Sequence, residues 1–168
     1  TIIAAAFKTT ESALLKHELA YCLGQMRLES AVDCLRIVLS DQSEDPMVRH
    51  EAGEALGAIG DRDSLPLLKY HSLHDPNVSV RETCEIAIDN IENNRQIGCP
   101  CQFPGDIQFG SVDPAPAMDL FLSVDELGVV LLDRELPMFK RYQAMFSLRN
   151  RASDEAVLML CRGLEDPS

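Results

Sequence analysis

Two His-Glu dipeptides are the residues in this sequence best suited to chemistry. They are His17-Glu18 and His50-Glu51, and the interval from position 17 to position 50 is the length of a two-helix repeat. Their surroundings repeat as well, with ALLKHELAYCLGQM in residues 13–26 and MVRHEAGEALGAI in residues 47–59. Stacked repeats place equivalent residues on neighbouring helices, where they face one another. The spacing therefore predicts that two imidazoles and two carboxylates converge.

Such a group of side chains is typical of a metal site. Neighbouring helix axes lie about 8–10 Å apart, a distance that two inward-pointing imidazoles span. Each glutamate follows its histidine and points about 100° further round the helix, so it can reach a second ion beside the first. Two histidines and one carboxylate with open positions suit Fe(II) and oxygen chemistry, with zinc as the alternative metal.

The other two histidines provide a contrast, because neither has an equivalent in another repeat. His71 and His74 precede Asp75-Pro76. We expect both to lie in a loop and to be solvated.

The elements that must position the His-Glu pairs are helices. Ser12 is a candidate N-cap for the helix that carries His17, and Glu29 to Leu39 is its partner helix. The next repeat opens at Asp45-Pro46, where Asp45 caps the helix and Pro46 takes its first position. Asp75-Pro76 repeats this opening signal before a third copy at Asn77 to Glu92. The pattern predicts an all-α solenoid of stacked helix pairs.

The third copy lacks the histidine. When VRETCEIAIDNI (residues 80–91) is aligned with VRHEAGEALGAI (residues 48–59) using a one-residue adjustment, Arg81-Glu82 falls at the position of His50-Glu51. In this register Glu85 matches Glu54. We therefore expect no imidazole ligand from this repeat, as is common at the edge of an array.

The sequence predicts three segments. Residues 1–93 form the first repeat array, and residues 94–122, rich in Gly and Pro, form a linker. Residues 123–168 form the start of a second array, in which Arg141-Tyr142 takes the place of the His-Glu pair. Because the chain stops at Pro167-Ser168, where another repeat should open, and begins inside a helical pattern, we expect a truncated protein.

Composition excludes several classes of protein. Fifteen basic and 27 acidic residues give a net charge of −12, and no basic face for nucleic acid is evident. No apolar run approaches the ~20 residues that span a bilayer, and no signal peptide opens the chain. We expect a cytoplasmic protein that binds neither nucleic acid nor membrane. An acidic surface suits a cationic substrate or partner.

Several segments closely resemble the deoxyhypusine hydroxylase family. They are KHELAYCLGQM (16–26), PMVRHEAGEALGAIGD (46–61), VRETCEIA (80–87), SVDPAP (111–116) and RYQAMFSLRN (141–150). The resemblance implies a HEAT-repeat solenoid of two halves, each supplying two His-Glu pairs to a non-haem di-iron centre. It implies iron as the cofactor, Fe(2+), with two ions per complete site. The reaction would be hydroxylation of deoxyhypusine in a translation initiation factor to hypusine, with dioxygen as co-substrate.

The resemblance also implies roles for individual residues. His17 and His50 would bind one iron, and Glu18 would reach iron in the paired site. Glu51 would lie near the metals or the substrate amine, so we keep it as a candidate metal ligand and catalytic residue. Since the family needs four His-Glu pairs and this chain has two, a missing C-terminal half or another chain must supply the rest. We expect the isolated fragment to be inactive.

Four carboxylates are candidates for substrate binding. Glu51 and Glu54 lie three residues apart on one helical face, and Glu82 and Glu85 occupy the equivalent places one repeat along. Together they predict an acidic patch that holds the amines of the substrate side chain. The alternative function is a non-catalytic HEAT-repeat binding module that docks a basic protein partner.

Overall fold

Helices make up all regular secondary structure in the residues that the structure describes. This computed structural model describes residues 5, 7, 9–93, 111–118 and 121–166. Its helices are α1 (Ala13–Met26), α2 (Val32–Ser40), α3 (Pro46–Ile59), α4 (Leu65–His74), α5 (Val78–Asn93), α6 (Val124–Leu132), α7 (Met138–Arg151) and α8 (Asp154–Gly163). Short 3₁₀ turns, Glu29–Ala31 and Arg62–Ser64, lead into α2 and α4. The predicted all-α class is confirmed.

The first compact unit, Thr1–Gly98, is a two-layer stack. Helix α1 packs against α3, and α3 packs against α5, so these three helices form one layer. Helices α2 and α4 form the other layer by packing on α3 and α5, respectively. Leucines fill the space between the layers, because each helix turns an apolar stripe inward. The fully buried ones are Leu35, Leu39, Leu56 and Leu68.

Glycines allow the helices of the first layer to approach closely. A Cβ on Gly24 would lie 2.9 Å from the Cα of Ala55, and a Cβ on Gly57 would lie 2.8 Å from the Cβ of Ala87. These two glycines are equivalent in the repeat, because Gly24 follows His17 at the same interval at which Gly57 follows His50. The same device therefore sets the α1–α3 and α3–α5 distances.

The helix starts follow local hydrogen bonding. Ser12 caps α1 by accepting a hydrogen bond from the Leu15 amide at 3.3 Å, and Asp45 caps α3 by accepting one from the Met47 amide at 2.8 Å. Pro46 occupies the first turn of α3, where its missing N–H costs nothing. These starts are those predicted from the sequence.

The start of α5 corrects the predicted register of the third copy. Asn77, not Asp75, occupies the position of Asp45, because α5 begins at Val78, directly after Asn77, as α3 begins directly after Asp45. The Asn77 side chain accepts from the Ser79 amide at 2.9 Å. The buried faces agree, since one constant offset in sequence relates Val48, Ala52 and Ala55 to Val80, Cys84 and Ala87. Asp75-Pro76 repeats the opening dipeptide two residues too early. The one-residue adjustment was therefore wrong, and Glu82 and Thr83 stand where His50 and Glu51 stand one repeat before. Glu85 stands at the place of Gly53, so the predicted match between Glu85 and Glu54 was wrong as well.

Equivalent arginines support this register. The Arg49 side chain donates to the carbonyl of Glu44, five residues earlier, at 3.3 Å. That of Arg81 donates to the carbonyls of Pro76, also five residues earlier, at 3.3 Å and of Asp75 at 2.7 Å. Arg81 therefore corresponds to Arg49, the residue before the histidine, rather than to His50.

The second compact unit, Cys99–Ser168, contains α6, α7 and α8, which pack on one another around Leu127, Ala144 and Leu148. Residues 111–118 lie against α7: Asp113 accepts two hydrogen bonds from Arg149, at 2.9 and 2.6 Å, and the Met118 amide donates to Ser147 Oγ. Residues 111–118 of the predicted linker, residues 94–122, therefore pack within this unit. Residues 94–110, 119 and 120 of the linker lie outside the described residues.

The contacts of Arg141 show that the predicted alignment of α7 with the repeats of the first unit was wrong by one residue. It donates from Nε to the carbonyl of Leu131 at 2.8 Å and pairs with the carboxylate of Asp166, as Arg49 pairs with Asp75. Arg141 therefore corresponds to Arg49. It follows that Tyr142, not Arg141, occupies the place that His17 and His50 occupy in the first unit.

Candidate metal centre

Helices α1 and α3 bring the two His-Glu pairs together. The Nε2 atom of His17 lies 3.1 Å from Oε2 of Glu51, and its Nδ1 atom lies 3.2 Å from Oε1 of Glu18. The contact between His17 and Glu51 crosses from one repeat to the next. It follows from the close approach of α1 and α3, which the glycine at position 24 permits.

Helix α3 carries a group of candidate metal ligands, which we call the metal group: His50, Glu51 and Glu54. One ligand atom from each residue lies within 4.8 Å of the other two. His50 and Glu54 are one turn apart, and their Nε2 and Oε2 atoms are separated by 3.9 Å. Glu51 belongs to this group and also contacts His17, so it stands between the two imidazoles.

The Glu51 carboxyl is buried beside other acidic groups. Only 5% of this residue is exposed. Burial raises its pKa, and the nearby charges of Glu54 and Glu18 raise it further, to about 8. A bound cation would reverse this situation, since it favours the charged form of each carboxylate around it.

A consistent set of protons can be assigned to His17. While the Glu51 carboxyl holds its proton and the His17 ring is neutral, Oε2–H can donate to His17 Nε2. The Nδ1–H of His17 then donates to Oε1 of Glu18. The nitrogen that faces Glu51, Nε2, has a lone pair in this arrangement and could bind a metal.

The predicted site residues differ in their exposure. His17, His50 and Glu54 are half-buried, and Glu18 is exposed, with 57% of its side chain accessible. On α5, Glu82 is half-buried and Glu85 is exposed. The structure thus brings together His17, Glu18, His50, Glu51 and Glu54.

Glu54 is the member of the metal group that sequence reasoning assigned only to substrate binding. Its spacing held the signal: a residue four positions after His50 lies on the same face of the helix. A histidine and a glutamate one turn apart can reach the same ion.

His71 is buried, so the prediction that it lies solvated in a loop was wrong. It lies in α4 with 2% of its surface exposed, and its Nδ1 atom is 3.0 Å from Oδ2 of Asp75. Asp75 is buried as well and is bound by the guanidinium of Arg49. Burial alone would raise the pKa of Asp75, but hydrogen bonds from the Asn77 amide, His71 and Arg49 hold it below its usual value. His74 is exposed, as predicted, but it is the last residue of the same helix and not part of a loop.

With this geometry established, comparison with known proteins identifies the family. The sequence matches the family model for HEAT repeats over residues 2–89, more than half of the chain. The chain belongs to the HEAT-repeat family. The HEAT-like solenoid predicted from the sequence is therefore confirmed.

Individual members of the HEAT-repeat family show a closer similarity. The chain is 53% identical to a deoxyhypusine hydroxylase of Danio rerio over 156 residues, covering 92% of this chain and 50% of the relative. It is 51% identical to that of Homo sapiens over 154 residues, covering 92% and 49%. For that of Saccharomyces cerevisiae the identity is 45% over 168 residues, covering 99% and 52%.

A solved structure agrees with these similarities. The structure of human deoxyhypusine hydroxylase in complex with glycerol superposes with a TM-score of 0.89 at 49% identity, covering 99% of this chain and 56% of the human chain. The predicted resemblance to deoxyhypusine hydroxylases is confirmed. This chain spans about half the length of the curated relatives that it matches.

None of the described helices is both long enough and apolar enough to cross a bilayer.

Proposed function

We propose that this chain supplies half of the metal-binding residues of a deoxyhypusine hydroxylase. The reaction would convert deoxyhypusine in a translation initiation factor to hypusine, with dioxygen as co-substrate and two Fe(2+) ions in the complete site. The observation that carries the proposal is the convergence of His17, His50, Glu51 and Glu54 in a chain 53% identical to such an enzyme. The remaining ligands come from a second repeat array, in the same chain or another one.

The donor set fits iron. Imidazole nitrogens and carboxylate oxygens together suit Fe(II), and a set with open positions suits oxygen chemistry. The raised pKa of Glu51 supports a cation here, because its carboxyl is buried among acidic groups that a cation would neutralise. Zinc shares these ligand preferences, so the identity of the metal is itself part of the proposal.

Each residue has a distinct role in this proposal. His17 and His50 bind one ion, Glu18 reaches the ion of the paired site, and Glu51 lies between the two imidazoles, where it binds metal or holds a proton. When bound, iron supplies the redox chemistry that activates dioxygen. The side chains of these residues orient the ions, and their carboxylates are in the charged form when a cation is bound.

The acidic patch gives the substrate a binding surface. The deoxyhypusine side chain is long and carries amines, which are cationic at neutral pH. Glu51, Glu54, Glu82 and Glu85 would attract those amines and direct the chain between them toward the metals. Glu54 has two candidate roles, since it also belongs to the metal group.

Iron content tests the proposal against the alternative of a non-catalytic binding module. We expect the chain, loaded with Fe(2+) without oxygen and then desalted, to retain iron that His17→Ala or His50→Ala removes. His74→Ala is the matched control, because that histidine is exposed and lies at the end of α4. An adaptor would retain no stoichiometric iron, and equal retention by all four proteins would contradict the proposed ligands.

A further inference from the structure

The third repeat touches the metal group although it lacks the histidine. The Nδ1 atom of His50, on α3, lies 3.4 Å from the backbone carbonyl oxygen of Ser79, on α5. A carbonyl oxygen only accepts hydrogen bonds, so the contact requires a proton on Nδ1. The other nitrogen, Nε2, is then unprotonated in the neutral ring and has a lone pair for a metal.

The orientation of the ring agrees with this assignment. Nε2 of His50 is the atom that faces Glu54, at 3.9 Å from Oε2. The protonated nitrogen therefore points to the next repeat and the free nitrogen points to the carboxylates. Histidine ligands generally donate their second N–H to a carbonyl or carboxylate, which fixes the tautomer and the ring plane.

The turn that carries the Ser79 carbonyl is held in place by the side chain of Asn77, the residue before α5. Asn77 caps this helix: its Oδ1 atom accepts from the amides of Ser79 at 2.9 Å and Val80 at 3.4 Å. Without such a cap the first turn of a helix frays, and its peptide groups lose their fixed direction.

A second link ties the same turn to the residue next to His50. Arg49, 2% exposed, pairs with the buried carboxylate of Asp75. Asp75 also accepts from the Asn77 amide at 3.0 Å. The segment that presents the carbonyl is thus fastened to the helix that presents the imidazole.

We propose that the third repeat is a positioning element for the metal site, in which the Ser79 carbonyl, fixed by the Asn77 cap, holds His50 in the Nδ1–H tautomer. The inference rests on the proposed function only in taking the Nε2 side as the metal side. Asn77 is accordingly a positioning residue, which acts on the site through Ser79. The third repeat would thus supply no imidazole ligand of its own but would fix the orientation of the His50 ring.

The first test reads the tautomer without any metal. In long-range ¹H–¹⁵N spectra of the labelled, metal-free chain, at a pH where the rings are neutral, we expect His50 to show a protonated Nδ1 and an unprotonated Nε2. His50→Gln assigns the signals, and exposed His74 is the internal reference for a solvated ring. A proton on Nε2 of His50 would overturn the inference, whether or not the chain binds metal.

The second test measures Co(2+) affinity, with Co(2+) alone as the probe. We expect Asn77→Ala to weaken binding about 10-fold, as loss of an outer partner of a ligand typically does. Asn77→Asp, which keeps an accepting side chain, should retain most of the affinity. Ser123→Ala is the matched control, because it removes a helix cap in the second unit and should leave the affinity unchanged.

The outcomes separate the two proposals. If His50 has a protonated Nδ1 but the native chain binds no Co(2+), the metal proposal fails while Ser79 still fixes the ring. If the native chain binds Co(2+) and Asn77→Ala binds it equally well, the positioning role fails and the metal proposal survives.

Discussion

At the scale of single residues, Glu51 sets how the metal-free chain responds to pH. Its pKa of about 8 in the folded chain lies above the ordinary value of 4.5. Folding is therefore favoured while the carboxyl is protonated in both states, and this contribution is lost as the pH rises from about 4.5 toward 8. The other titratable groups that face it are His17, Glu18, His50 and Glu54.

We expect the free energy of unfolding of the metal-free chain to fall by a few kcal/mol across this window. Glu51→Gln should remove most of that fall, because an amide does not titrate. Denaturant titrations at pH 5.5 and 8.5 with a chelator present would measure both proteins. Glu85→Gln is the exposed control, and a fall of the same size in Glu51→Gln would disprove the assignment.

Metal and substrate roles can be separated among the carboxylates by membership of the group of candidate ligands. Glu54 belongs to the metal group, whereas Glu82 and Glu85 lie one repeat along on α5. We expect Glu54→Gln to weaken both iron and substrate binding in the complete enzyme. Glu82→Gln and Glu85→Gln should weaken only substrate binding.

Equilibrium binding of the deoxyhypusine-containing factor, compared with its unmodified lysine form, would measure the substrate effect. The effect of half-buried Glu82 should fade only partly with added salt, whereas that of exposed Glu85 should fade more, since exposed charges are screened more strongly. Unchanged affinity in Glu82→Gln and Glu85→Gln, with iron content intact, would place these residues outside the substrate path.

At the scale of helices, the glycine contacts determine how closely the ligands approach one another. A Cβ at position 57 would meet the backbone of α5 at Ala87, which cannot move without moving the helix. We expect Gly57→Ala to destabilise the chain by about 1–3 kcal/mol despite the better helix propensity of alanine.

Gly53→Ala, one turn earlier in α3, is the matched comparison. Its Cβ would meet only side-chain atoms, of Thr83 at 3.2 Å and Cys84 at 3.3 Å, which can yield. Thermal unfolding of both variants should show the larger loss at position 57. The reverse order would mean that backbone contact does not limit the spacing of these helices.

The positions of the helices could largely be predicted from the sequence, and the wrong register of α5 has an identifiable cause. The interval between the two His-Glu dipeptides located α1 and α3 and correctly predicted that the pairs converge. The register of α5 was missed because Asp75-Pro76 imitates Asp45-Pro46, although Asn77 is the residue that caps the helix. Local signals identify the type of residue that begins a helix, but the cap is defined by a hydrogen bond.

The burial of His71 was missed for a different reason. It depends on a carboxylate that is itself buried because Arg49, far from it in sequence, reaches it from another helix. No spacing within the segment around His71 reports such a partner.

At the scale of the whole molecule, the chain spans about half the length of its relatives. We expect it to bind iron more weakly than a complete deoxyhypusine hydroxylase and to show no hydroxylation alone. Adding the second repeat array of a relative should restore turnover of the deoxyhypusine-containing factor, because the two arrays together hold the full set of ligands.

A product assay with and without the added array measures this directly. The corresponding mixture with the His17→Ala chain is the control for iron bound elsewhere. Robust hydroxylation by the 168-residue chain alone would contradict the expectation that four His-Glu pairs are required.

Ion pairs connect each repeat of the first unit to the next one. Lys16 in α1 pairs with Glu44 at 2.5 Å, and Arg49 in α3 pairs with Asp75. Each acidic partner lies in the connection that precedes the first helix of the next repeat. If the third repeat detached, the buried guanidinium would lose its carboxylate, which typically costs about 3–5 kcal/mol. The three repeats should therefore open as one unit in native-state hydrogen exchange, not one at a time from the end. The rate at which His17 and His50 separate would then depend on α5, a helix that carries neither histidine.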